Sequence, residues 1–228
     1  MSEVSEAPRT VRAAVGMGAI TAVSRVVGFV RVLVVAAVLG FTDLGDAFQK
    51  ANTLSNVMFE LLAAGALSAV LVPAFVDLLD AGADEGAEEV AGGVLGLAIV
   101  GLGALVVVSI AAAPWLAHLL VGDDADQQDL VTFLLRCFLP QVVLYAAGTI
   151  ATGVLFAKRR FLATAAAPIG NTVVMVAALG LFAVVAGPDP GVDLSTTEEW
   201  LLVLAGTGGV IAFVGILLGA CRASGCWR

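Results

Sequence analysis

Two arginines, Arg25 and Arg31, stand inside an apolar segment that runs from about residue 11 to residue 39. In a membrane helix each fixed charge costs roughly 2.5–3.5 kcal/mol to insert and demands a partner or a wet cavity. At about 100° of rotation per residue, Arg25, Gly28 and Arg31 spread over about 120° of one helix face. Met17, Thr21 and Ser24 fall in or beside that arc. Ile20, Val23, Val26, Val27, Val30, Leu33 and Val34 lie opposite, as a lipid-facing surface. Gly28, between the guanidiniums, removes a side chain where another group would approach. Two readings stay open on this helix alone: a groove for an anion, or arginines paired with acids of a neighbouring helix.

The rest of the chain sets that helix in a membrane. Of 228 residues, 60 % are hydrophobic and 13 % charged, and several runs reach the roughly 20 apolar residues that cross a bilayer. The expected fold class is an all-α polytopic membrane protein with six transmembrane helices. Their expected spans are about residues 11–39, 44–79, 90–113, 130–157, 161–186 and 200–218. A formal net charge of −8, with no basic run carrying interleaved aromatics, argues against a nucleic-acid partner. Cys137, Cys221 and Cys226 show neither paired nor metal-ligand spacing. No cofactor or metal is implied, and with no nucleophile–base pair or phosphate loop the chain reads as no enzyme.

The second helix repeats the pattern of the first. Asp46, Gln49, Lys50, Thr53, Asn56, Glu60, Ala64 and Ser68 share about 120° of its surface, opposite Leu54, Met58, Phe59, Leu61 and Leu62. Pro73 would kink or end it. Two polar faces then line one cavity, with Ser24, Lys50, Thr53 and Glu60 in its walls. The competing arrangement is an ion-pair ladder joining Arg31 to Asp46 or Glu60. Buried pairs are seldom net stabilising, which favours the functional reading.

Elsewhere the sequence punctuates more than it specifies. Residues 1–10 are polar, and the segment after them is too long for a cleaved signal peptide, so it reads as a retained signal-anchor. Acidic loops are expected at residues 80–89, 122–129 and 187–199. Pro114-Trp115 would end the third span at the lipid–water interface, and Arg136 would snorkel from the fourth. Gln141, Tyr145, Gly148, Thr149 and Thr152 form a weaker polar face, and Pro168 near Asn171 marks a kink. A cytoplasmic N-terminus puts Arg9, Arg12, Lys158, Arg159, Arg160, Arg222 and Arg228 inside and leaves the other basic residues within spans. The positive-inside rule is then satisfied with both termini cytoplasmic.

These residues resemble the MviN/MurJ lipid II flippases of the multidrug/oligosaccharidyl-lipid/polysaccharide exporter superfamily. The first-helix signature S-R-x-x-G-F-x-R stands as Ser24 to Arg31, and D-A-F as Asp46-Ala47-Phe48. The N…G-A…P pattern appears as Asn56, Gly65-Ala66 and Pro73, and R-F…A-P-x-x-N as Arg160-Phe161, Ala167-Pro168 and Asn171. The chain departs from the family at Phe59 and Glu60, where basic residues are common, and at Val32 and Ala64, where acids are common. The resemblance implies a bacterial inner-membrane, multi-pass protein that moves a polyprenyl-diphosphate-linked precursor between leaflets by alternating access. Arg25, Gly28, Arg31, Asp46 and Asn56 would bind the substrate, with Asp46 orienting the arginines or taking part in the switch. Residues 1–10 would be a cytoplasmic N-terminus, 11–220 one six-helix lobe, and 221–228 a cytoplasmic tail that reads as a truncation. Such a lobe would need membrane lipid and a second lobe, supplied by a partner or a homodimer. Two other expectations compete: a non-transporting scaffold or remnant of cell-wall synthesis, and an exporter of a different amphiphile.

Overall fold

The computed structural model describes residues 7–62, 100–157, 160–188 and 190–223. The expectations on Gly65-Ala66, Pro73, the acidic stretch 80–89, Lys158, Arg159 and Cys226 lie outside the described residues. Those residues are helical throughout, with no strand among them. In chain order the helices are α1 (Ala7–Val38) and α2 (Asp43–Leu62), then α3 (Val100–Ala111). They continue as α4 (Ala113–Val121), α5 (Ala125–Phe138), α6 (Gln141–Ala157), α7 (Phe161–Ala186), α8 (Thr196–Val203) and α9 (Gly209–Ala223). A π-helical turn, Leu204–Gly208, joins α8 to α9.

Six separate spans are not what the described residues give. Three stretches are long and apolar enough to cross a bilayer: Ala125–Phe156, Phe161–Ala186 and Thr196–Ala223. A fourth arises only if α3 and α4 count together, across a bend of 61°. The third expected span therefore does not end at Pro114. It turns there and continues as α4, because proline lacks only an N–H that the first helical turn leaves unpaired anyway. The loop expected at residues 122–129 is also shorter than its acidity implied. Asp124 caps α5 by accepting from the Gln127 backbone N–H at 3.1 Å, so the helix starts at Ala125. Likewise α8 begins at Thr196, inside the loop expected to reach residue 199. The Glu198 carboxylate accepts from both the backbone N–H and the hydroxyl of Ser195 at 2.7 Å, the reciprocal half of a capping box. At the N-terminus, helix begins at Ala7 rather than after residue 10.

The core lies where α2, α5, α7 and α8 meet. Phe48, Phe138 and Phe182 are fully enclosed there with Leu134, Leu135, Leu179 and Leu202. Phe48 meets Phe138 edge to face, with ring centroids 5.6 Å apart, the arrangement the ring quadrupoles favour. Helix α1 packs along α7 and presses Val34, Val35 and Val38 onto this core. Its residues Val23, Val26, Val30 and Leu33 stay exposed on the outside.

Close packing near the π turn is made possible by glycine. A methyl group on Gly206 would lie 2.6 Å from the Phe138 ring, and a Cβ on Gly209 would collide with Asn171. Polar groups gather at the same level. Gln141, buried at the start of α6, donates from Nε2 to the Thr207 hydroxyl at 2.8 Å. Thr207 in turn donates to the Cys137 carbonyl at 2.9 Å. These bonds tie α5, α6 and the π turn together without a charge.

Because Phe138 is enclosed and cannot swing aside, Gly206→Ala is expected to overpack this junction at a cost of about 1–3 kcal/mol. Thermal unfolding in detergent should show a clear drop in Tm for that variant. An unchanged Tm would contradict the packing described.

Candidate functional site

The turn between α1 and α2 is built residue by residue. Gly40 takes a positive φ of 65°, a conformation that L side chains adopt at a cost. Thr42 donates from its hydroxyl to the Leu39 carbonyl at 2.7 Å and accepts from the Gly45 N–H at 3.2 Å, which caps α2. Gly45 faces the preceding backbone so closely that a Cβ would sit 2.6 Å from the Gly40 carbonyl oxygen. From the far side, Gln127 of α5 donates to the Asp43 carbonyl at 3.0 Å. The hairpin is therefore held at its tip and from outside.

Between the two arms opens a cleft of about 610 Å³. Helix α1 contributes Arg31 with Val32, Val35 and Ala36, and α2 contributes Asp46, Gln49, Asn52 and Thr53. Of the residues singled out from the sequence, Arg31, Asp46 and Thr53 thus meet in one space. Lys50 joins them indirectly, with its Nζ 2.6 Å from an Asp46 carboxylate oxygen. Arg25, Gly28, Asn56 and Glu60 do not line this cleft. Arg25 and Gly28 are exposed on α1, and a Cβ on Gly28 would meet nothing within 4 Å. Asn56 is half-buried and Glu60 exposed further along α2, and Ser24 lies in α1 one residue before Arg25.

The electrostatics differ from the ladder that pairing alone would build. Among the described residues the ion pairs are Lys50 with Asp46 and, far away, His118 with Asp123. Arg31 makes none with Asp46 or Glu60, and neither does Arg25. Half-buried Arg31 lines the cleft, and among the described residues its guanidinium makes no hydrogen bond. A planar guanidinium in that state can take two oxygens of one phosphate or carboxylate at once.

Two cleft residues stand apart from the residues proposed as ligands. Gln49 belongs to the polar stripe of α2, but Asn52 lies outside the arc that defined it. The sequence reads Gly40-Phe41-Thr42-Asp43 as a short turn, and Gly45 is the turn residue that escaped notice. The signal for it was a Gly-x-Thr-x-x-Gly spacing across the hairpin, from Gly40 to Gly45.

An all-helical polytopic membrane protein with an uncompensated arginine in a polar cleft is what the fold and the site define. The sequence profile of the family described as "Lipid II flippase MurJ" matches residues 35–225. A protein of Rhizobium tropici named "Probable lipid II flippase MurJ" is 30 % identical over 194 residues, covering 83 % of this chain and 36 % of its own length. The protein of that name in Rhizobium meliloti is 30 % identical over 198 residues, with the same two coverages. "Lipid II flippase MurJ" of Burkholderia cenocepacia is 28 % identical over 206 residues, covering 89 % of this chain and 38 % of its own. The chain belongs to the MurJ family. The profile match begins at residue 35, beyond the arginine pair, so it rests on the turn and the helices that follow. The chain spans little more than a third of the length of these curated relatives.

The turn, rather than the ion pair, fixes the shape of the cleft. Gly45→Ala is therefore expected to lower stability by about 1–3 kcal/mol through overpacking against backbone. Asp46→Asn, which breaks a largely exposed pair, should stay within about 1 kcal/mol. Paired thermal melts check the order, and a larger loss for Asp46→Asn would contradict it.

Proposed function

We propose that this chain is the substrate-receiving lobe of a lipid II flippase, a carrier that moves a polyprenyl-diphosphate-linked precursor from the inner to the outer leaflet. The observation that carries the reading is the state of Arg31. It lines a polar cleft that also holds Asp43 and Asp46, it pairs with neither, and Asp46 is occupied by Lys50. A diphosphate is the complementary ligand, since it offers several oxygens to one guanidinium, and its polyprenyl tail can remain in lipid beside α1. Family membership supports the same substrate class, as the relatives are named for lipid II.

Arg25, two turns before Arg31 on α1, would take the head group at an earlier stage of passage. Asp46 and Lys50 would release one another as the anion arrives, and Asn56 and Glu60 would mark the path further along α2. With the N-terminus in the cytoplasm of a bacterial cell and the inner membrane as its site, the hairpin tip and its cleft face outwards. That orientation sets the acidic stretches near residues 123–129 and 193–199 outside and the basic cluster at residues 158–160 inside. Crossing requires rocking against a second bundle, supplied by a partner lobe or a second copy. The work is transport, with no chemistry on the substrate.

Native mass spectrometry of the purified chain in nanodiscs tests this. Lipid II should bind the wild type, and Arg25→Ala/Arg31→Ala should abolish binding while membrane insertion stays intact. Binding that ignores both arginines would overturn the reading and favour a scaffold.

A further inference from the structure

Five polar residues are buried among the described residues: Asn52, Ser55, Ser109, Gln127 and Gln141. Four of them have a protein partner. Ser55 donates to the Ala51 carbonyl, Ser109 to Leu105, Gln127 to Asp43 and Gln141 to Thr207. Asn52 has none, although only 7 % of it is exposed. An amide without a protein partner must take its hydrogen bonds from whatever fills the space beside it, so such a group calls for a source of partners. Its position supplies one. Asn52 lines the same cleft as Arg31, and among the described residues only Gln141 Oε1 is both sealed from solvent and unpartnered. The Asn52 amide therefore keeps its access through the cleft. Gln49, three residues earlier on α2, and Thr53 border the same space.

We infer that Asn52, with Gln49 beside it, is a specificity element that reads the glycosyl group attached to the phosphate held by Arg31. This rests on the lipid-diphosphate reading proposed above and adds the part of the ligand that the arginine cannot recognise. A guanidinium only donates, and it selects for oxyanions. A carboxamide offers two donors and an acceptor, a match for hydroxyl and acetamido groups that give and take hydrogen bonds. Sites built on buried amides discriminate strongly, because a ligand lacking the matching group leaves them unpaired. The cleft thus divides its work: charge at Arg31 for the phosphate, and neutral amides on α2 for the sugar.

The test uses the full chain in nanodiscs with two ligands, lipid II and undecaprenyl diphosphate, which shares the charge and tail but has no sugar. Wild type is expected to prefer lipid II. Asn52→Leu, with the same number of side-chain heavy atoms and the same branching, should weaken lipid II about tenfold and leave undecaprenyl diphosphate unchanged, as expected for loss of a well-placed hydrogen-bonding group. Gln49 is exposed, so Gln49→Leu carries no folding risk. It should reduce the same preference about threefold. Arg31→Ala should weaken both ligands. If the amide variants change neither ligand, or weaken both alike, the glycosyl contact is wrong while the anion site stands. If the wild type binds neither ligand, the flippase reading fails and this inference fails with it.

Discussion

A guanidinium inside an apolar helix is the constraint on which this structure depends. Lipid offers the Arg31 guanidinium no hydrogen-bonding partner, so the fold must bring polar groups to it. The chain does so with the turn between α1 and α2, whose arms line one cleft. The hairpin needs Gly40 in its left-handed conformation, Thr42 as a cap and Gly45 without a Cβ. Gln127 then anchors the tip to α5, and Phe48 anchors the next turn of α2 against Phe138. The hydrophobic core thus serves the polar cleft, since burying Phe48 and Leu44 on one side of α2 commits Gln49 and Thr53 to the other.

The cleft is not completed by neutralising its arginine, which separates a binding site from a structural ion pair. The pair that does form, Asp46 with Lys50, is one turn apart on a single helix and leaves Arg31 without a carboxylate. Away from the cleft, the polar interior of the bundle is handled differently. Gln141 donates to Thr207 and Thr207 to the Cys137 carbonyl across three elements, while the Gln141 amide oxygen stays buried without a partner.

Much of this was legible in the sequence. The fifth expected span, residues 161–186, coincides with α7 to the residue, because an uncharged, largely apolar run between Arg160 and Gly187 has few alternatives. The polar face of α2 was legible from its period, and so was the meeting of Arg31, Asp46 and Thr53. Asn52 was missed because the stripe was drawn as a narrow arc, whereas a cleft near a hairpin tip is walled by more than one side of a helix. Acidity misled twice. Asp124-x-x-Gln127 and Ser195-x-x-Glu198 are helix-start signals, yet both lay in stretches read as loops. The π turn at Leu204–Gly208 carries no pattern that was read from the sequence, and Pro114 marks the bend after Ala111 without telling whether the helix ends or resumes.

The claim that Arg31 holds a lipid-linked phosphate is most directly measured as a distance. Solid-state NMR with 15N-arginine-labelled chain in bilayers containing lipid II would report 15N–31P dipolar dephasing, with Arg31→Lys identifying the signal. The account predicts strong dephasing of the Arg31 guanidinium nitrogens, at hydrogen-bonding range of phosphorus. Bound lipid II with no dephasing at Arg31 would contradict it.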